Sequence, residues 1–121
     1  MPITPGDWQW TASARQSVAR FAGGRLTMSC DIASHTMTIS RNEPGAAFSG
    51  PVLMTVITQT QMRPFHAEAR SGSVSVSVPA RDGLLDAMAF SRGRFAVEVT
   101  GFTALYVPSW TEISRVIEDC R

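Results

Sequence analysis

The chain reads as mainly β: an antiparallel β-sandwich or closed barrel of about seven to nine strands, with a short helical connector and a C-terminal α-helix. Three observations predict it. Apolar and polar residues alternate along several segments, most clearly in Ser73-Val74-Ser75-Val76-Ser77-Val78, where Val faces a core and Ser faces water. Gly, Pro and Ser clusters punctuate the chain between such segments. Apolar residues recur at helical spacing in only two places, after Asp82 and after Pro108.

Taken in order, Trp8 and Trp10 share one face of a strand near the N-terminus. Leu26, Met28 and Cys30 then alternate with Thr27 and Ser29, and Met37 and Ile39 alternate with Thr36, Thr38 and Ser40. Cross-strand partners must put apolar side chains on one face. A four-residue loop, Asp31-Ile32-Ala33-Ser34, does so by setting Cys30 opposite His35, Met28 opposite Met37 and Leu26 opposite Ile39. Val52 to Thr58 is apolar and β-branched on both faces, which predicts a central strand covered on both sides and entered through Pro51. Pro64 and Pro79 bound the Phe65 to Arg70 segment and the Val-Ser strand.

Asp82 is placed to cap a short helix with Leu84, Leu85 and Met88 on its apolar side, ending near Ser91-Arg92-Gly93. Phe95, Val97 and Val99 alternate with Ala96 and Glu98. A three-residue loop of Gly101, Phe102 and Thr103 pairs Val99 with Leu105 and Val97 with Val107; a five-residue loop keeps the same parity. Ser109 and Glu112 have the spacing of a capping box, and Ile113, Val116, Ile117 and Cys120 form the stripe of an amphipathic terminal helix. No repeat or second domain interrupts residues 1–121, so the chain is read as one domain.

Composition narrows the chemistry. The 121 residues are 44% apolar and 17% charged with a formal net charge of +1, a balance that disfavours a nucleic-acid footprint. All 11 basic residues are Arg; without Lys there is no Schiff base, no P-loop lysine and no Ser-Lys nucleophile. No apolar run reaches the roughly 18 residues that cross a bilayer, and Met1 to Trp10 lacks the pattern of a signal peptide.

Cys30 lies at the apolar end of a strand and Cys120 on the buried stripe of the last helix, so one docking mode of the helix joins them. A disulfide there implies a periplasmic or secreted protein whose export signal is absent from this chain; the alternative is two buried thiols in a cytosolic protein. The expected hairpin also makes His35 a neighbour of Cys30, the pairing of a Cys-His nucleophile. His66, Glu68 and Arg70 share an exposed strand face. Asp86, Glu98 and Glu112 are the carboxylates available for a glycosidase-like pair. The two His fall out of phase with one another and imply no metal site, and no cofactor motif is present. The candidate partner-binding residues are Phe102 at a hairpin tip, the aromatic pair Trp8 and Trp10, and Arg92 and Arg94 beside Phe95, a basic-aromatic mixture also used by oligonucleotide-binding barrels.

Five segments, G-D-W-Q-W (Gly6 to Trp10), R-L-T-M-S-C-D (Arg25 to Asp31), L-L-D-A-M-A-F-S-R-G-R-F-A-V-E-V (Leu84 to Val99), L-Y-V-P-S-W (Leu105 to Trp110) and R-V-I-E-D-C-R (Arg115 to Arg121), resemble those of small exported bacterial β-domains of uncharacterised function. The resemblance implies core strands, a helix cap and a cystine, and no reaction. More distantly, the early Trp, the strand entered through Ser91-Arg92-Gly93-Arg94, and Gly101-Phe102 are similar to the invasion-associated locus B family, whose cysteine pattern this chain does not reproduce. The expected function is a non-catalytic periplasmic or secreted domain. It binds a protein or cell-envelope component through loop tips around Phe102 and the Asn42 to Phe48 loop. The alternatives are a small-ligand carrier with a pocket at the barrel mouth, or a small hydrolase using Cys30 and His35 or a carboxylate pair.

Overall fold

A computed structural model describes residues 2–43 and 49–121. Among the described residues nine strands make one antiparallel sheet: β1 (Trp8–Ala12), β2 (Gln16–Phe21), β3 (Leu26–Asp31), β4 (Thr36–Asn42), β5 (Gly50–Ile57), β6 (Met62–Arg70), β7 (Ser73–Pro79), β8 (Arg94–Val99) and β9 (Leu105–Pro108). Their spatial order is β1-β2-β3-β4-β7-β6-β5-β8-β9, and the sheet curls into a half-barrel. The connector helix α1 (Gly83–Ala89) joins β7 to β8, and α2 (Thr111–Cys120) ends the chain.

The strands form where the alternation says they should, because one face of each is buried in a shared interior. Phe21, Leu26, Met28, Met37, Ile39, Met54, Leu105 and Val107 point inward at zero exposure. Full burial of each large side chain among them stabilises the fold by about 1.5–3 kcal/mol. Helix α2 lies against β1 to β4 and supplies Ile113, Val116, Ile117 and Cys120 to the same core. Asp82 caps α1 by accepting from the Leu84 amide at 2.9 Å, and Leu84, Leu85 and Met88 are buried as their spacing predicts.

The two edges of the curled sheet meet near the N-terminus. Trp8 packs on Phe21 with ring centroids 5.5 Å apart, and its indole Nε1 donates to the Pro108 carbonyl at 2.8 Å. Thr4 binds Tyr106 twice, its amide donating to the Tyr106 carbonyl at 2.8 Å and its hydroxyl accepting from the Tyr106 amide at 2.9 Å. Gly6 passes so close to Ala22 that a Cβ placed on it would lie 2.5 Å from the Ala22 Cβ, so only glycine fits this crossing.

Five local expectations are corrected. In the first hairpin Cys30 faces Met37, Met28 faces Ile39 and Leu26 faces Arg41, two residues away from the expected register. A two-residue slip preserves which face each side chain takes, so alternation cannot choose between them. The turn decides: its residues are 32–35, His35 adopts φ 52°, and Ser34 Oγ bonds the Asp31 carboxylate and Thr36 Oγ1. In the second hairpin Val97, rather than Val99, stands opposite Leu105, again two residues from the expected register; residues 100–104 separate the strands, and the Phe102 amide turns back onto the Val99 carbonyl at 2.9 Å. Ser109 does not cap α2. Its hydroxyl donates to the Met88 carbonyl at 2.9 Å, tying the end of α1 in place, and Trp110 stands at the N-cap without a side-chain bond. Pro64 lies inside β6, opposite Thr55, where β7 no longer runs beside that strand; β6 and β7 pair only at Ala69–Val74 and Arg70–Ser73. Finally, β5 is covered on one face only. Val52, Met54 and Val56 are buried, but Leu53 is 40% exposed, because among the described residues no second layer lies outside the single curled sheet.

Candidate functional site

One end of the half-barrel gathers unusual surface chemistry. Where α1 runs into β8, the buried Ser91 hydroxyl accepts from the Gln59 amide at 2.8 Å, and the Gln59 side-chain oxygen accepts from the Arg92 amide at 3.2 Å. Gly93, at φ 77°, then turns the chain into β8. The β5–β6 turn is thereby fixed beside Arg92 and Arg94. Between them lies a cleft of ≈ 370 Å³ lined by Ile57, Thr58, Gln59, Arg92, Arg94, Phe95, Ala96 and Tyr106. Its lining is largely apolar, with Arg92 and Arg94 supplying charge. Among the described residues neither guanidinium has an ion-pair partner.

The most exposed large apolar side chains among the described residues are Phe90, Met62 and Trp110, of which Trp110 opens onto a separate cleft with Ser109, Thr111 and Glu112. Phe90, following α1, is 77% exposed, and Met62, paired with Ile57, is 70% exposed. Trp110, 44% exposed, follows Ser109, whose amide and hydroxyl bond Gly93 and Met88 on either side of Phe90 in the chain. The neighbouring clamp is ionic: Arg63 makes a two-point bond to the Asp82 carboxylate at 2.9 and 3.0 Å, joining β6 to the start of α1. The Arg63 bond, helped by the Leu84 amide, holds the Asp82 carboxyl below the usual carboxylate range.

The other expected residues lie elsewhere. Phe102 is half-buried against the core, its ring 5.2 Å from the Arg41 guanidinium carbon. Trp8 is buried in the seam. Trp10 is partly buried under Arg115, 4.1 Å above its ring, and its indole donates to Ser17 Oγ at 3.1 Å. Ser17 passes the chain on to Asp119 at 2.6 Å. Both Trp therefore hold α2 and the sheet edges. Of the Asn42 to Phe48 loop, residues 44–48 lie outside the described residues.

The chain has no significant match among protein-family profiles, curated proteins or solved structures. Function must be read from its own residues.

Cys30 and Cys120 form a disulfide with Cα atoms 5.6 Å apart, so position 30 carries no thiolate. The His35 ring turns to the same helix end, with Nδ1 donating to the Cys120 carbonyl at 2.7 Å. Asp86 pairs with Arg121 at 2.8 Å, Glu98 is exposed on β8, and Glu112 lies in the first turn of α2, so these three carboxylates occupy three different places. His66, Glu68 and Arg70 do share the outer face of β6 and are exposed. Among the described residues no group of three or more His, Cys, Asp and Glu side chains is arranged to hold a metal ion.

Two features were missed by sequence reasoning. Met62 belongs to no motif, and Phe90, inside the Leu84 to Val99 segment, lies directly beyond the expected helix stripe. Arg41 is completely buried, and its signal was present: it continues the inward series Met37, Ile39 into a charged residue.

Proposed function

We propose that this protein is a non-catalytic binding domain of the periplasm or of the secreted fraction, and that it docks an acidic protein partner on the end carrying Phe90, Met62, Trp110, Arg92 and Arg94. What carries this reading is that Phe90 directly precedes the Ser91–Arg94 turn and Met62 pairs with Ile57 of the cleft, so exposed large apolar side chains adjoin two guanidiniums that have no ion-pair partner among the described residues. Scattered surface apolar residues are ordinary. Aromatic, Met and Arg side chains clustered together are what the central residues of protein interfaces are made of. The two Arg favour carboxylates on the partner, since guanidinium binds them through paired hydrogen bonds. The half-barrel interior is filled by core side chains and α2, which supports docking of the protein partner on the outer surface at this end. The disulfide supports an oxidising compartment, and no helix among the described residues is long and apolar enough to cross a membrane.

Site-specific photo-crosslinking in envelope extracts tests it. A benzophenone side chain at position 90 or 62 is expected to give one discrete adduct, abolished by Arg92→Glu with Arg94→Glu, while the same probe at Thr38 on the opposite, hydroxyl-rich face gives none. Equal labelling from Thr38, or an adduct indifferent to the charge reversal, overturns the proposal.

A further inference from the structure

At the other end of the half-barrel a buried cation is only partly satisfied among the described residues. Arg41 is the largest fully buried side chain among the described residues, at 0% exposure on the inner face of β4 between Leu26 and Val74. A guanidinium carries five N–H donors. Its Nη2 reaches the Glu43 carboxylate only at 3.4 Å, and among the described residues its Nε and Nη1 have no hydrogen-bond partner. Glu43 is moreover shared, bonding Arg25 at the shorter 3.1 Å. Two guanidiniums thus stand around one carboxylate, and the buried one holds the weaker contact. The Phe102 ring covers one face of Arg41, which attracts the cation through its π-electrons and leaves the in-plane N–H groups unserved.

An apolar interior does not tolerate an uncompensated charge. Burial lowers the Arg41 pKa from its ordinary value, against the pull of Glu43, and the guanidinium keeps its charge. The acceptor chemistry that suits in-plane N–H donors on a permanently charged plane is an oxyanion, which takes paired hydrogen bonds from the guanidinium and restores local neutrality. Phe102 is placed to control access: it is half-buried in the 100–104 loop, directly after Gly101 at φ 87°.

We propose that Arg41 and Arg25 form an internal oxyanion-binding site beneath Phe102, which takes the carboxylate or phosphate group of a small ligand. This site is independent of the docking surface at the opposite end and stands or falls apart from it.

The test follows the Arg41 Nε–H resonance by ¹⁵N–¹H NMR in the intact, disulfide-bonded protein, titrated separately with inorganic phosphate and with acetate against sodium chloride at matched ionic strength. Arg41→Met identifies the resonance and replaces the charge by an apolar chain of similar length, so it retains the core. The expected result is a saturable shift of the Arg41 signal with at least one anion and not with chloride. Phosphate alone points to a phosphate ester and acetate alone to a carboxylate. Arg25→Gln is expected to weaken the affinity at least tenfold, and Phe102→Ala to speed exchange without abolishing binding. No shift at Arg41 with either anion, shifts confined to Arg25, or equal affinity in Arg25→Gln overturns the proposal.

Discussion

The two flanks of the sheet are held by different means. On the β1–β4 flank, α2 is fastened at many points: the Cys30–Cys120 disulfide, the Trp10–Ser17–Asp119 chain, Arg115 over Trp10, and His35 on the Cys120 carbonyl. Arg121 adds a bond to the Ala80 carbonyl at 2.7 Å and an ion pair with Asp86. On the β5, β6, β8 and β9 flank no helix among the described residues covers the strands outside, and Leu53 and Met62 face solvent. Stability is concentrated where the interior is filled and cross-linked. The other flank is free to display apolar and cationic side chains, because their exposure costs the fold little.

If that contrast is right, substitutions should separate by flank. The largest loss is expected at the seam. Trp8→Ala removes a fully packed ring and leaves the Pro108 carbonyl without its donor, costing about 3–5 kcal/mol in urea unfolding. Trp8→Phe, which keeps the ring packing, should recover most of it. Next comes the cross-link. Replacing both cysteines by Ala should cost about 2–4 kcal/mol, as the bond closes a sequence separation of 90 residues and its worth depends on the denatured chain. The native protein should take up no alkyl groups without reductant, and two added groups would contradict both the bond and the compartment.

The smallest of the three falls on the open flank. Asp82→Ala loses the α1 cap and the Arg63 bond and should cost about 1–2 kcal/mol. Because the folded Asp82 carboxyl is held below its unfolded value, its contribution is fully present above the ordinary carboxylate range, about pH 4, and is lost as pH falls through the depressed folded value. Acid unfolding of Asp82→Asn should therefore lack part of the wild-type slope below about pH 4. An unchanged slope would mean that the Arg63 clamp contributes nothing to stability.

Much of this was legible in the chain. Alternation located β3, β4, β7 and β8, helical spacing located α1 and α2, and the inward phase of Cys30 and Cys120 anticipated their bond. These signals are local and repeat along the sequence. Arg92 and Arg94 were singled out as well, but only beside Phe95. Their companions Phe90, Met62 and Trp110 come from three segments that Gln59, Ser91 and Ser109 tie together, and a long-range hydrogen bond leaves no periodic trace.

Side-chain parity was settled residue by residue, since a strand or helix period is dictated by backbone geometry. What the folded chain alone decided was everything parity leaves degenerate. A slip of two residues in the first hairpin put Arg41, rather than Ile39, opposite Leu26. The diversion of Ser109 to Met88 left Trp110 at the start of α2. The absence of an outer layer among the described residues exposed Leu53. Each depends on which distant groups compete for the same hydrogen bond or the same apolar surface, and that competition exists only once the sheet has curled.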